Sequence, residues 1–167
     1  MCLLLYAGTT APLPLVPWSD AAPAFYVTEV QPTEPARAWL AAPYVYELGS
    51  HEGCGCGYSS GSPEERGARE ASREALVRYL EAALATGPVR LFAGWNGYAP
   101  RLPLEGEIGL ATLASAEFWD GVHQGAAVRD QAYVWAIRSG PADPGNDSDQ
   151  TASGDGRVTT PTPESMR

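Results

Sequence analysis

Apolar positions in this chain fall into short blocks separated by proline-rich stretches, and each block has its own period. Residues 2–7 are apolar without a break and stop at Gly8, the pattern of a short strand buried on both faces and therefore central in a sheet. The next segment carries Pro12, Pro14, Pro17 and Pro23. Their fixed φ and missing N–H groups exclude a helix interior or a central strand, so an extended crossing loop is predicted. Residues 25–30 are aromatic and β-branched and are closed by Pro32, which predicts a second strand; one short helical turn is expected within residues 34–42. Residues 44–48 alternate, with Tyr44, Tyr46 and Leu48 on one face and Val45 and Glu47 on the other, the period of a third strand.

The period then changes from two to that of a helix. Ser62 is placed to cap, Pro63 to occupy the first helical position, and Glu65 to complete an S-x-x-E capping box. Ala68, Ser72, Ala75, Leu76, Tyr79, Leu80, Ala83 and Leu84 recur at three- and four-residue steps and form one apolar stripe. The opposite face is assigned Arg66, Arg69, Glu70, Arg73, Glu74, Arg78 and Glu81, with Glu65–Arg69 and Glu74–Arg78 as i,i+4 pairs. Gly87 and Pro88 end the element, so a helix is predicted over residues 63–86.

Residues 89–95 return to strand character and would complete a β-α-β unit with parallel strands. Asn96-Gly97 signals a tight turn. The Pro-interrupted stretch that follows, 98–107, fits only an edge strand or an extended loop. Residues 108–118 are ambiguous between strand and helical turn, with Ser115 available as a cap, and residues 131–138 read as a last buried strand. From Ser139 the chain is mostly Pro, Gly, Asp, Ser and Thr, with too little to bury for a fold. The expected architecture is a single α+β or α/β domain of residues 1–138. It has a mixed sheet of about five strands covered on one face mainly by the long helix, and a disordered acidic tail follows over residues 139–167.

Composition narrows the function classes. With 44% hydrophobic residues the chain has material for a core, while a formal net charge of -9 opposes phosphate backbones and anionic lipid unless the arginines gather on one face. Neither nucleic acid nor membrane is an expected partner. Three cysteines, two of them two positions apart, do not make a disulfide framework and fit a reducing, cytoplasmic setting. The apolar run at residues 2–7 has no positive flank and is too short for a signal segment or a span.

The candidate chemistry lies in His51-Glu52-Gly53-Cys54-Gly55-Cys56-Gly57, on the loop between the third strand and the long helix. In a β-α-β unit this loop sits at the carboxyl edge of the sheet, where ligands usually bind. One reading is a metal site, zinc foremost, in which His51, Cys54 and Cys56 supply soft or borderline ligands and the fourth comes from Cys2, His123, Glu52 or water. A second is thiol chemistry, with Cys54 and Cys56 forming a disulfide or one of them acting as a nucleophile beside His51. A third takes Cys2, exposed by loss of Met1, as an N-terminal nucleophile. Asn96-Gly97 resembles the Asn-Gly oxyanion pair of the glutamine amidotransferases, although Cys2 is followed by leucines where that family has glycine. A phosphate cradle has no G-K-[ST] and no lysine to support it. The loop is otherwise an irregular turn with cysteines as apolar filler, in an interaction domain without chemistry. The five tryptophans read as core and interface anchors and His123 as a surface or loop histidine. Strand direction decides whether Cys2 joins the loop: only a first strand antiparallel to the third brings it to the same edge.

Overall fold

In the computed structural model, which describes residues 2–20, 24–95, 102–129 and 131–139, six strands form one mixed sheet. They are β1 (Leu3–Thr9), β2 (Phe25–Glu29), β3 (Tyr44–Ser50), β4 (Val89–Trp95), β5 (Leu104–Gly109) and β6 (Tyr133–Arg138), in the spatial order β2-β3-β1-β4-β6-β5. The unbroken apolar run is therefore an inner strand, as its lack of alternation requires. Leu3, Leu5 and Ala7 enter one core cluster and Tyr6 the other, on the opposite face. The first cluster also takes Tyr46, Leu48, Leu91, Ala93, Trp135 and Ile137, so the side-chain parity of four neighbouring strands agrees.

β1 is antiparallel to both β3 and β4. The strands flanking the long helix are thus parallel to each other, as a β-α-β unit predicts, but β1 lies between them. The Pro-interrupted segment supplies β5, an edge strand parallel to β6. The extended loop before β2 is tied to the sheet by a bridge from Val16 to Val27, by the Leu13 N–H donating to Tyr46 Oη at 2.9 Å and by Trp18 edge-on to Tyr26.

Helices cover both faces. A 3₁₀ turn, Pro63–Glu65, leads into α2 (Arg66–Leu84), and the short α1 (Ala36–Leu40) packs with Tyr6, Val45 and Phe92 on the second face. Two more helices, α3 (Leu110–Leu113) and α4 (Ala116–Arg129), fill the stretch that was ambiguous in sequence. Ser115 does cap α4, its Oγ accepting from the Phe118 N–H at 3.3 Å, and Trp119, Val122 and Ala126 bury the inner side.

The start of α2 differs from the predicted box. Ser62 makes no side-chain cap bond: its hydroxyl is bonded to the Glu64 carboxylate, while the Glu65 carboxylate, held by Arg69 Nη2 at 2.9 Å, still accepts from the Ser62 backbone N–H. The assigned polar face is also corrected: Arg69 and Arg73 are 9% and 7% exposed, and the helix buries the row Arg69, Ser72, Arg73, Leu76, Leu80, Ala83. Among the described residues no helix is long and apolar enough to cross a membrane. The Asn96-Gly97 turn and the predicted tail from residue 140 on lie outside the described residues.

Candidate metal centre

β3 ends in the buried Ser50, and the chain reverses at once. Gly53 N–H donates to the Ser50 carbonyl at 3.0 Å, and Gly53 holds φ +73°, which a side chain at this position would resist. Ser50 Oγ donates to the Cys54 carbonyl at 2.6 Å and accepts from the Glu52 N–H at 3.2 Å, so one hydroxyl fixes both limbs of the turn. A 3₁₀ turn, Gly55–Tyr58, follows, with the Cys54 Sγ accepting the Cys56 N–H at 3.4 Å as its cap. Gly55 lies flat against β1, where an added Cβ would come within 2.9 Å of the Leu3 carbonyl oxygen. The same contact brings the Leu3 N–H to Cys56 Sγ at 3.3 Å.

Two arginines from α2 hold this turn from the other side. Arg69 Nη1 donates to the carbonyls of Cys56 (3.0 Å) and Ser59 (3.2 Å), its Nη2 pairs with Glu52 and Glu65, and Arg73 Nη1 donates to the Tyr58 carbonyl at 2.8 Å. The Tyr58 and Ser59 carbonyls thereby gain charge-assisted bonds, and the Cys56 carbonyl adds one to those it accepts from the Ser59 N–H and hydroxyl. Tyr58 itself is fully buried, its ring 5.1 Å from that of Trp119.

The ligand atoms of Glu52, Cys54 and Cys56 all lie within 4.8 Å of one another, forming a cluster that could hold a metal ion. Of the residues singled out in the sequence, Cys54 and Cys56 are in this cluster, with Glu52 as third member. His51 and Cys2 are beside it. The His51 Nδ1 is 2.9 Å from Ser72 Oγ, whose hydroxyl donates to the Ala24 carbonyl, and its Nε2 is buried without a hydrogen bond, 3.9 Å from Glu52 Oε1. Cys2 is exposed, next to the residue whose amide holds Cys56, and its charge acts on Cys54. The antiparallel β1 has put it at the loop's edge of the sheet. His123 on α4 lies edge-on to Trp95, with ring centroids 5.2 Å apart, and its charge acts on Cys56.

The two thiols titrate apart. The hydrogen bond from the Cys54 thiol draws Cys56 down from its ordinary 9.0 to about 6, with the Leu3 N–H and His123 acting in the same sense against burial. Cys54, the donor in that bond and buried, is pushed well above the thiol range. Burial lowers His51, against the opposing pull of Glu52, and favours a neutral imidazole. The pair therefore holds one proton between two sulfurs at neutral pH, with backbone N–H groups aimed at both.

The buried arginines were the part of this site missed in sequence. Their signal was position: Arg69 and Arg73 precede Leu76 by seven and three residues and so fall in the buried row. No family model matches the chain, and comparison with curated proteins and with solved structures finds no significant match.

Proposed function

We propose that this domain binds a thiophilic divalent cation, zinc before others, through Cys54, Cys56 and Glu52. The observation that carries this reading is the convergence of two sulfurs and a carboxylate within 4.8 Å. Tetrahedral Zn–S bonds of about 2.3 Å need sulfurs only about 3.8 Å apart, so collapse onto an ion asks for small movements. Backbone N–H groups from Leu3 and Cys56 stabilise thiolates. A dication and the Arg69 guanidinium balance two thiolates and a carboxylate, and a third thiolate leaves the complete set with one net negative charge. Cys2, exposed at the rim, completes the set as fourth ligand. His51 serves beside Glu52, either orienting the carboxylate through Nε2 or exchanging with it at the ion.

Protein purified from cells without chelator is expected to carry about one zinc per chain, and the Cys54→Ser, Cys56→Ser double variant none. Wild-type protein that arrives metal-free and takes no zinc from a weak chelator would overturn the proposal. A second reading, a reactive thiol, is favoured by one observation, the Leu3 N–H aimed at Cys56 Sγ at 3.3 Å, which acts with the Cys54 thiol to lower the Cys56 pKa. In that case the metal-free protein reacts with an alkylating probe at pH 7 faster at Cys56 than at the exposed Cys2.

A further inference from the structure

A cavity of about 320 Å³ lies on the other side of the same loop, where α2 begins; Ser60, Ser62, Arg66, Arg69, Glu70 and Arg73 are on its walls. Its charges are unevenly matched. Arg69 is paired with Glu52 and Glu65, yet its Nε is buried without a hydrogen-bond partner, packed over Gly61 on the same wall. Arg73 is 7% exposed, spends Nη1 on the neutral Tyr58 carbonyl and has no carboxylate within ion-pair distance among the described residues. A guanidinium that has lost most of its water and has no counter-charge is costly. Arg66, exposed on the rim, adds a second positive charge. Two acids stand near: Glu70 on the walls, solvent-exposed, and Asp120 behind Ser60, its carboxylate accepting from the Ser60 N–H and hydroxyl at an exposed position, so solvent screens the repulsion of both.

We infer that this cavity is an oxyanion-binding site, built to take the phosphate group or carboxylate of a small ligand between Arg73 and Arg66, with the Ser60 and Ser62 positions on its edge. Guanidinium forks suit both anions because they present paired N–H groups to paired oxygens. The volume is at the low end for small-molecule pockets, at about 300 Å³, which suits a small metabolite. The site depends on Arg73 and the cavity, and stands or falls apart from any metal on the loop.

Isothermal titration of the intact protein with inorganic phosphate and, separately, with malonate, at constant ionic strength in chloride, tests it. Saturable binding of at least one anion is expected. Arg66→Glu, on the exposed rim and so compatible with folding, should weaken that binding at least about tenfold. Arg78→Glu, on the solvent face of the same helix, should leave it unchanged. Glu70→Gln should strengthen it. Response to phosphate alone assigns a phosphate group, to malonate alone a carboxylate, and to both the shared oxyanion chemistry. No saturable binding of either anion, or equal binding by wild type and Arg66→Glu, overturns the inference.

Discussion

Arg69 and Arg138 both pair with glutamates, and burial makes them different interactions. At the loop, Arg69 has a side chain 11% exposed and bonds two carboxylates and two backbone carbonyls. On the sheet edge, Arg138 pairs with Glu107 with both side chains more than half exposed, and Arg90 reaches the exposed Glu105 at 3.7 Å. Water can replace either partner at the edge, whereas at the loop the guanidinium itself is shut away and the bond it makes to the Ser59 carbonyl is buried. Removing a buried partner leaves desolvated groups unmatched; removing an exposed one leaves solvated groups as they were. The same residue types thus hold a site together in one place and do little in the other.

The largest effect expected from this contrast is for Arg69→Leu, which should cost about 3 to 5 kcal/mol in urea unfolding of the metal-free protein. A loss below about 1 kcal/mol would erase the distinction between the two regions.

The loop should also make stability depend on pH. In the folded, reduced, metal-free protein the thiol pair releases one proton near pH 6, while the unfolded thiols keep theirs up to about 9.0. Between those values the unfolded state binds more protons, so stability rises with pH, by at most about 1.4 kcal/mol per unit for one proton. His51, lowered by burial, acts in the same sense below its ordinary 6.5, because acid protonates it more readily in the unfolded chain. Urea midpoints measured from pH 6 to 9 should climb in wild type and flatten above pH 7 in Cys56→Ser; parallel curves would remove the thiolate from the picture. Smallest of all, Glu107→Ala should shift the urea midpoint by an amount equivalent to less than about 1 kcal/mol, and a loss above about 2 kcal/mol would show the edge pair to be structural.

Most of the sheet was legible because strand signals are local. Residues 2–7, 44–48 and 89–95 carry in their own alternation, or in its absence, the face and depth they occupy. The order of the strands was not legible, since insertion of β1 between β3 and β4 is decided by pairing partners far apart in sequence. The direction of β1 was undetermined for the same reason, and with it the place of Cys2. α4 escaped because Gly121 and Gly125 interrupt it and its apolar stripe is only Trp119, Val122 and Ala126. In the loop, the cysteines and Glu52 were visible as residue types, but only the turn that Ser50 imposes puts Glu52, in place of His51, with the two sulfurs. Arg69 and Arg73 were assigned to solvent by their charge, although their helical position placed them inside.

The bond from the Leu3 N–H to Cys56 Sγ joins residues 53 apart, and that separation gives the thiol a second use, as a clock. An unfolded chain cannot hold this contact without closing a long loop, an entropic cost met only once β1 has docked between its neighbours. The share of the Cys56 acidity that comes from Leu3, beside the larger local share from the Cys54 thiol, is therefore acquired late, with the sheet. Pulsed alkylation during refolding of the metal-free protein, read at the one sulfur, would time the insertion of the central strand directly.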